Sequence, residues 1–409
     1  MKCRPYDKEK DRSAAHRIWR EIGWIEQDKE AVVDLFSECG SSLVAEVGGE
    51  TECLVTAAPG TIRYLDEELP FSCITGVTTS RVARKKGLAR RLTALSVAGA
   101  KAEGALVSGL GMFEQGYYNQ LGFGSGGYEH RASFDPSRLK VRVKARVPRR
   151  IGFDDWDMAH ASRLARARGH GGCNLTPPEL TQAQMCRAKN GFGLGYCDGP
   201  NGELTHHFWC TDGGMESGPY TIGWMTFRTP DQFLELIALI KSLGDQVRLV
   251  TMREPQGIQL QDLLDRPLKG QQVSEKSRFE NRIHALAYWQ MRINDLPGCM
   301  ARTHLPGDVV RFNLELSDPI GAHLDGKAPW RGITGRYVVS LGPASNAEPG
   351  TDPTLSLLSA SVGAFTRLWL GVRPAGGLAV TDELSGPREL LGQLDELMRL
   401  PDPKPDWDF

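Results

Sequence analysis

The first 134 residues combine two patterns of hydrophobic and polar positions. In two segments apolar residues recur with the 3.6-residue period of an amphipathic helix, whereas short apolar runs of strand type make up most of the rest. The pattern predicts helices at 11–22 and 29–37 and strands at 42–47, 52–58, 71–79 and 105–110. Helices and strands that follow one another within one stretch predict a mixed α/β fold.

Basic and apolar residues alternate strictly from residue 138 to 147, with Arg138, Lys140, Arg142, Lys144 and Arg146 at every second position. On a strand these cations would share one face. Two interpretations stay open. The segment is either a half-exposed strand whose apolar face covers a core, or a basic stripe that binds phosphate. In both cases it opens a second domain, and Pro148 ends it.

A second α/β pattern extends from residue 176 to 267. It predicts strands at 204–211, 220–227 and 246–251 and a helix at 230–243 that opens with Thr229. The glycine-rich run 191–195 lacks the strand, helix and downstream carboxylate of a dinucleotide site, which favours a hairpin turn. His206 and His207 are neighbours, so on a strand they would point to opposite faces and could not share a ligand.

The last part of the chain predicts strands at 291–294, 309–316 and 367–372 and helices at 361–366 and 387–400, with a Gly-, Pro- and Asp-rich loop at 340–354. Three prolines alternate with other residues in the final segment, 401–409, which excludes a helix there. Two interpretations of this tail stay open, an extended strap and a disordered end.

Length and charge narrow the classes of protein. The chain has 409 residues, which suggests two or three domains, and 40% of them are hydrophobic. Lys and Arg number 49 against 50 Asp and Glu, so the net charge of −1 gives no reason to expect nucleic acid or an anionic membrane as partner. The longest apolar stretch, 233–240, is too short to span a bilayer. The highly charged residues 1–15 lack the apolar core of a secretory signal, which favours a cytoplasmic location.

Nine cysteines are spread along the chain, and no pair has the short spacing of a structural zinc site. An odd number of dispersed cysteines argues against a disulfide framework and for a reducing compartment. We therefore expect mostly buried thiols, no covalent role for a cysteine and no metal.

The stretch with most chemical information is 71–92, which predicts a strand, a basic turn and then an amphipathic helix. A helix start presents free backbone N–H groups and the positive end of the helix dipole, a suitable place for a pyrophosphate. Gly87 allows the backbone to approach a ligand closely. Five cations surround it and suit a ligand with several phosphates: Arg84, Lys85, Lys86, Arg90 and Arg91.

Two ordered motifs carry a family resemblance. Residues 77–89, with Arg84, Gly87 and Ala89, resemble the Arg/Gln-x-x-Gly-x-Gly/Ala acetyl-CoA loop of GCN5-related N-acetyltransferases (GNAT), and 118–123 resembles their Tyr-x-x-x-Gly-Phe segment. The whole chain is similar to the Eis (enhanced intracellular survival) family. That resemblance implies an α/β (α+β) fold with an acetyl-CoA-binding GNAT domain at 1–134, a second, degenerate GNAT-like domain at 135–285 and a sterol-carrier-protein-like domain at 286–409.

The resemblance also implies roles for individual residues. Tyr118 would be the general acid, and the terminal carboxylate of Phe409 would be the general base. The Val77 N–H would act as an oxyanion donor. The cofactor-binding residues would be Val77, Thr78, Thr79, Arg84, Lys85, Lys86, Gly87, Leu88, Ala89, Arg90, Phe113 and Glu114. Tyr117 is assigned to packing.

The resemblance further implies acetyl-CoA as cosubstrate, a primary amine of an aminoglycoside, polyamine or lysine side chain as acceptor, and a homo-oligomer, specifically a hexamer. The second unit has Arg228-Thr-Pro-Asp where the first has its basic turn, so it should not bind the cofactor. An alternative from another class also stays open, a non-catalytic protein that senses acyl-CoA or carries lipid in its C-terminal domain.

Overall fold

A computed structural model describes residues 2–213, 216–265, 276–326, 328 and 330–408. Within these residues it contains ten α-helices. They are α1 (Lys8–Glu21), α2 (Glu30–Glu38), α3 (Leu88–Ala102), α4 (Trp156–Leu164), α5 (Pro178–Arg187), α6 (Pro230–Ser242), α7 (Leu296–Met300), α8 (Val362–Trp369), α9 (Ala375–Thr381) and α10 (Arg388–Leu397).

The strands of the first half are β1 (Lys2–Pro5), β2 (Ser41–Val47), β3 (Glu50–Tyr64), β4 (Glu67–Thr79), β5 (Val107–Gly111), β6 (Gly124–Ser125), β7 (Glu129–Phe134), β8 (Arg149–Ile151), β9 (Cys173–Leu175) and β10 (Gly191–Tyr196). Those of the second half are β11 (His206–Asp212), β12 (Tyr220–Thr226), β13 (Val250–Arg253), β14 (Arg282–Leu286), β15 (Trp289–Ile293), β16 (Val310–Ser317), β17 (Gly335–Leu341), β18 (Asn346–Pro349), β19 (Leu357–Ser361) and β20 (Leu384–Ser385). The mixed α/β class predicted from the sequence is confirmed.

The chain divides into two compact units. The first comprises residues 1–127, 169–177 and 287–409, and the second comprises 128–168 and 178–286. The first unit contains the sheet β1-β2-β3-β4-β5-β15-β6, with β9 added beside β3, and a second sheet in the order β18-β17-β16-β19-β20. The second unit contains the sheet β14-β7-β13-β12-β11-β10-β8.

The large sheets of the two units repeat one plan. Read from β1, neighbouring strands pair antiparallel three times, then parallel once (β4 with β5), then antiparallel twice. Read from β8, the second sheet shows the same succession, with β12 and β13 as its parallel pair. In each sheet a helix, α3 or α6, connects the two parallel strands, as a parallel pair requires. The chain therefore contains two tandem units of one α/β type.

Each large sheet contains one strand that is distant in sequence from its neighbours. β15, which follows the second unit in the chain, lies between β5 and β6 of the first. β7, the first strand of the second unit, lies between β13 and β14. The domain limits 1–134, 135–285 and 286–409 stay predictions.

Apolar faces of α3 and of the first sheet form one core, in which Leu88, Leu92, Val97 and Leu110 are almost completely buried. The corresponding core of the second unit packs α6, through Phe233, Leu236 and Ile240, on its own sheet. Among the described residues no helix is long and apolar enough to cross a membrane.

Four sequence predictions of local structure are wrong. The strand predicted at 138–147 does not form, since Arg138 ends a 3₁₀ helix and Leu139 makes only an isolated bridge, to Leu264. The loop predicted at 340–354 contains β18 (Asn346–Pro349). The glycine-rich run 191–195 is not a turn but lies in β10, paired on both sides, with β8 and with β11. The predicted strand 367–372 is instead the end of α8 and the turn after it.

Candidate functional site

An opening between β4 and β5 marks the candidate site. These parallel strands pair only from Phe71 with Val107 to Ile74 with Leu110. Beyond this point β4 continues along β3 to Thr79, whereas β5 ends at Gly111, where it pairs with β15. The two strands therefore separate, and residues 75–79 form one edge of a groove.

A β-bulge shapes the β4 edge of this groove. Thr75 faces Thr56 and Thr78 faces Leu54, so Gly76 and Val77 together oppose a single residue of β3. Gly76 has φ +62°, which favours glycine because a β-carbon is strained in that region. A bulge of this kind redirects the strand and its backbone groups. The structure thus brings Val77, Thr78 and Thr79 to the opening, as expected from the sequence.

The turn after β4 is anchored at its beginning. The Ser80 N–H donates to the Glu52 carbonyl (2.9 Å), and the Arg81 N–H donates to the Glu21 carboxylate (2.9 Å). That backbone bond is the main cause of a lowered pKa of Glu21, with a second contribution from Arg17. These two hydrogen bonds therefore fix the position of the backbone at which the turn begins.

The turn delivers the chain to an uncapped helix start. Lys85 has φ +61° and Gly87 has φ +75°, two left-handed residues within three positions. Gly87 is the N-cap residue of α3 and gives no side-chain hydrogen bond, so the N–H groups of Leu88, Ala89 and Arg90 have no side-chain cap. A β-carbon on Gly87 would meet no atom within 4 Å, so this backbone is open to a ligand.

Positive charge surrounds the helix start. Arg84, Lys85 and Lys86 are exposed, and Arg90 lies half-buried one turn into α3. The first turn of the helix contains no acidic residue. Free N–H groups, the helix dipole and these side chains together make a site for a phosphate anion.

Tyr118 opens a short 3₁₀ helix, Tyr118–Leu121, and is 2% exposed. Burial is the main cause that raises the pKa of its phenol, with contributions from Tyr117 and Cys53. The ring of Tyr117 stands edge-on to that of Tyr118, with the centroids 4.9 Å apart, and Tyr117 is half-buried. The Cys53 thiol, which is close enough to influence both tyrosines, lies 3.2 Å from the Thr79 hydroxyl at the end of β4.

Phe113 and Glu114 follow β5 and are exposed, Phe113 by 73%. The Phe113 ring stands edge-on to that of Tyr118, with the centroids 6.0 Å apart. These residues therefore lie at the end of β5, on the far side of the opening from Val77.

Cysteine chemistry has no support at this site. None of the nine cysteines, all of which lie among the described residues, forms a disulfide, and six of them are buried. Burial raises the pKa of Cys53, the thiol nearest the tyrosines, to about 12, so it is protonated and a poor nucleophile at neutral pH.

The segment that carries Tyr118 is held by a buried ion pair that the sequence did not reveal. Arg292 on β15 contacts Asp318 through two hydrogen bonds, of 2.7 and 3.2 Å, and both side chains are fully buried. The same guanidinium donates to the Leu121 carbonyl, three residues after Tyr118. These residues are distant in sequence and belong to no motif, so a single sequence gives no signal for the pair.

The tail of the chain is extended and packed against the first unit. The Lys404 N–H donates to the His170 carbonyl (3.1 Å), and the Pro405 carbonyl accepts from the Cys173 N–H (2.8 Å). Trp407 is 1% exposed. Up to residue 408 this agrees with the strap rather than with a disordered end. Phe409 lies outside the described residues.

In the second unit the corresponding helix, α6, has a side-chain cap at its N-terminus. β12 and β13 pair in parallel only through Tyr220 and Thr221. The Thr229 hydroxyl caps α6 by accepting from the Gln232 N–H (3.3 Å), and Pro230 has no N–H to offer. The Arg228 N–H donates to the Gln232 side chain (2.8 Å). Of the first three backbone positions of α6, one therefore lacks an N–H and one donates to the cap, and the acidic Asp231 stands between them.

A cluster of potential metal ligands in the second unit is centred on an arginine. Asp198, His206 and Glu235 bring ligand atoms within 4.8 Å of one another. The Arg146 guanidinium pairs with both carboxylates, at 2.7 and 2.8 Å, and is the main cause that lowers the pKa of Glu235 to about 2. A guanidinium already supplies the positive charge between the carboxylates. The neighbouring His207 contacts Ser162 and Trp224 instead, so the two histidines have separate partners, as predicted.

This geometry agrees with a known domain family. Residues 8–126 match the family model for an acetyltransferase (GNAT) domain. The match includes the opening between β4 and β5, the basic turn, the start of α3 and Tyr118. The chain thus contains a GNAT acetyltransferase domain. A search of curated proteins found no match.

Three solved structures share the fold over the whole of this chain. A probable N-acyltransferase from Enterococcus faecalis V583 is 17% identical, with a TM-score of 0.80 and 99% of its own chain covered. A GCN5-related N-acetyltransferase from Anabaena variabilis ATCC 29413 is 14% identical, with a TM-score of 0.80 and 100% covered. Eis1 from Mycobacterium abscessus is 14% identical, with a TM-score of 0.76 and 100% covered. The likeness establishes a GNAT-type fold along the full chain.

Proposed function

We propose that this protein is an N-acetyltransferase that moves an acetyl group from acetyl-CoA to a primary amine. The observation that carries the proposal is the groove between β4 and β5, which leads directly to an uncapped and basic helix start. A thioester with a long arm and a pyrophosphate fits such an arrangement. The arm would lie along Val77, Thr78 and Thr79, and the pyrophosphate would lie at 84–90. Phe113 and Glu114 would border the cofactor.

The reaction needs no covalent intermediate. The amine nitrogen attacks the thioester carbonyl carbon, a C–N bond forms, and the C–S bond breaks with the electron pair leaving on sulfur. The enzyme positions the amine, accepts its excess proton and protonates the departing thiolate. The Val77 N–H would stabilise the oxyanion between these steps.

Tyr118 is the proposed proton donor to the thiolate. Burial raises the pKa of its phenol, so the group stays protonated at neutral pH and can act as an acid. We expect Tyr118→Phe to lower kcat strongly with little change in acetyl-CoA affinity, and the matched Tyr117→Phe to have a small effect. Because the raised pKa keeps the acid protonated, the wild-type rate should not fall from this ionisation below pH 10. Full activity of Tyr118→Phe across pH would remove Tyr118 from the mechanism.

The terminal carboxylate of Phe409 is the proposed base. An α-carboxyl group titrates near pH 3.3–3.7, so it is ionised at neutral pH and can accept a proton or hold an ammonium ion. The packing of Pro403, Pro405 and Trp407 supports the proposal that the tail is an ordered strap. One glycine added after Phe409 should lower kcat and leave acetyl-CoA binding intact, whereas one glycine added at the amino terminus should change neither. Equal turnover of both variants would exclude Phe409.

The acceptor would be an aminoglycoside, a polyamine or a lysine side chain. The test is thiol release from acetyl-CoA with a panel of these amines. Amine-dependent release would establish the transferase and its acceptor class together. Acetyl-CoA binding without release on any amine, together with lipid recovered in the purified protein, would favour the alternative of an acyl-CoA sensor or lipid carrier.

The proposal includes the wider architecture expected from the Eis resemblance. Residues 286–409 would form a sterol-carrier-protein-like domain, supported by the separate sheet β18-β17-β16-β19-β20 with α8, α9 and α10. The chain would assemble as a homo-oligomer, specifically a hexamer, in the cytoplasm. Light scattering at micromolar concentration tests the assembly, and a monomer would contradict it.

A further inference from the structure

A cavity adjoins the proposed pyrophosphate site at Gly87 and Arg90. Its volume is about 330 Å³, and it lies between the first turn of α3 and residues 322–325. The lining residues are Gly87, Arg90, Arg91, Ala322, His323, Leu324 and Asp325. This volume is at the lower end of the range for small-molecule sites, so it suits one end of a large ligand rather than the whole.

The wall opposite α3 is fixed in place. It belongs to the 3₁₀ helix Pro319–His323 and the two residues that follow, and Ile320 and Leu324 are buried in the same core as Leu88 and Leu121. The Asp318 carboxylate, already paired with Arg292, accepts the Ile320 N–H (3.1 Å) and caps this turn. The cavity is therefore formed by two rigid elements.

Positive charge dominates the cavity. Arg90 and Arg91 enter it from α3, and the Nε atom of Arg90 is buried with no hydrogen-bond acceptor among the described residues. His323 approaches from the opposite wall, where its ring interacts with the Gln120 backbone. Burial, and then the charge of Arg90, lower the pKa of His323. The counter-charge is Asp325, whose carboxylate lies 3.8 Å from Arg91 with both side chains partly exposed.

We propose that this cavity binds the 3′-phosphorylated adenosine end of acyl-CoA, with Arg90, Arg91 and His323 as the residues that contact the 3′-phosphate. This rests on the proposed function. If the thioester lies between β4 and β5 and the pyrophosphate lies at the start of α3, the adenosine continues past Gly87 towards residues 322–325. A dianionic phosphate there would accept a hydrogen bond from the buried Arg90 Nε. It would also contact the Arg91 guanidinium and the His323 imidazole.

Asp325 has a defined role in this proposal. The Asp325 carboxylate competes with the 3′-phosphate for Arg91 and repels the phosphate charge. It therefore lowers affinity for the phosphorylated ligand without contacting the rest of the ligand. The residues on this wall lie more than 190 positions beyond the GNAT domain match at 8–126, so the C-terminal part of the chain contributes to cofactor selection.

The experiment compares the binding of acetyl-CoA and 3′-dephospho-acetyl-CoA to the full chain by calorimetry. We expect the wild type to bind acetyl-CoA at least about tenfold more tightly, since one charge-assisted hydrogen bond contributes about 1.5–3 kcal/mol and 1.4 kcal/mol corresponds to tenfold. His323→Ala should remove most of this preference while affinity for the dephospho compound stays unchanged. Asp325→Asn should increase the preference. The matched control is His304→Ala, an exposed histidine of the same unit that should leave the ratio as it is.

The outcomes separate this inference from the proposed function. Equal affinity of the wild type for both thioesters would overturn the 3′-phosphate site, while amine-dependent thiol release would still support the transferase. An equal loss of both affinities in His323→Ala would also overturn it, since it would show a structural role only. Failure to bind either thioester would overturn both proposals.

Discussion

The starts of α3 and α6 occupy the same place in two sheets of the same plan, yet only one is built to receive an anion. At α3 a glycine with φ +75° stands at the N-cap and leaves the first N–H groups without a side-chain partner. At α6 a threonine side chain occupies the N-cap and a proline occupies the next position. A few residues of cap chemistry, rather than the fold, thus decide which unit can bind a phosphate.

The largest difference between the two sheets lies in how each holds its distant strand. Arg292 on β15 is fully buried against Asp318, whereas Arg131 on β7 is exposed. Loss of one partner of a buried ion pair leaves an uncompensated charge, so Arg292→Met should lower the free energy of unfolding by about 3–5 kcal/mol. Arg131→Met should change it by about 0.5 kcal/mol or less. Urea denaturation measures both, and equal effects would contradict the difference.

Charge reversal tests the two helix starts directly. Lys85→Glu with Lys86→Glu replaces two exposed cations beside the proposed pyrophosphate, and each charge-assisted contact is worth about 1.5–3 kcal/mol. We expect acetyl-CoA affinity to fall by roughly 100-fold or more in calorimetry. Arg228→Glu reverses a single charge beside the start of α6 and should leave affinity unaltered. If Arg228→Glu weakens binding equally, the second unit also contributes to the cofactor site.

Substitution of Gly87 tests how much the left-handed backbone conformation contributes to stability and binding. Gly87→Ala adds only a methyl group in open space, but a left-handed residue other than glycine costs about 1–2 kcal/mol. We expect a loss of stability of that size and weaker acetyl-CoA binding as the turn relaxes. Gly99→Ala, at an exposed position of the same helix, should be neutral or stabilise by about 0.5–1 kcal/mol. An unchanged Gly87→Ala protein would show that this conformation is not needed.

The smallest expected effect is at the closed helix start. Thr229→Ala removes the cap of α6 and should lower the free energy of unfolding by about 1 kcal/mol. It should give the second unit no affinity for acetyl-CoA, because Pro230 still lacks an N–H. Calorimetry that detects a second binding site in this variant would show that the cap alone closes the site.

The sequence predicted elements whose signals are local. The helix start at Thr229, the strand before Gly87 and the segment at Tyr118 are all close to their predicted positions, because caps, turns and amphipathic periods depend on neighbouring residues. The family motifs also singled out Val77, Gly87 and Tyr118, and the role of these residues in binding or catalysis stays a prediction.

The failures concern residues whose partners are distant in sequence. Residues 140–148 alternate like a strand, and Val141 and Ala145 do pack on the core of their unit, but alternation cannot supply a neighbouring strand for hydrogen bonds. The glycines at 191, 193 and 195 suggested a turn, yet a β-carbon there would collide with Trp209, Ile151 or His207 of the adjacent strands. The Arg292–Asp318 pair and the wall at His323 escaped prediction for the same reason.

The insertion of β15 between β5 and β6 has a consequence for the order of events on the ribosome. The first sheet lacks its sixth strand until residues 289–293 have left the exit tunnel. At about 5–20 residues per second, synthesis of residues 112–288 takes roughly 10–35 s, during which the edges of β5 and β6 stay exposed. The first sheet therefore becomes complete only after residues 178–286 of the second unit have been synthesised, and so does the groove between β4 and β5.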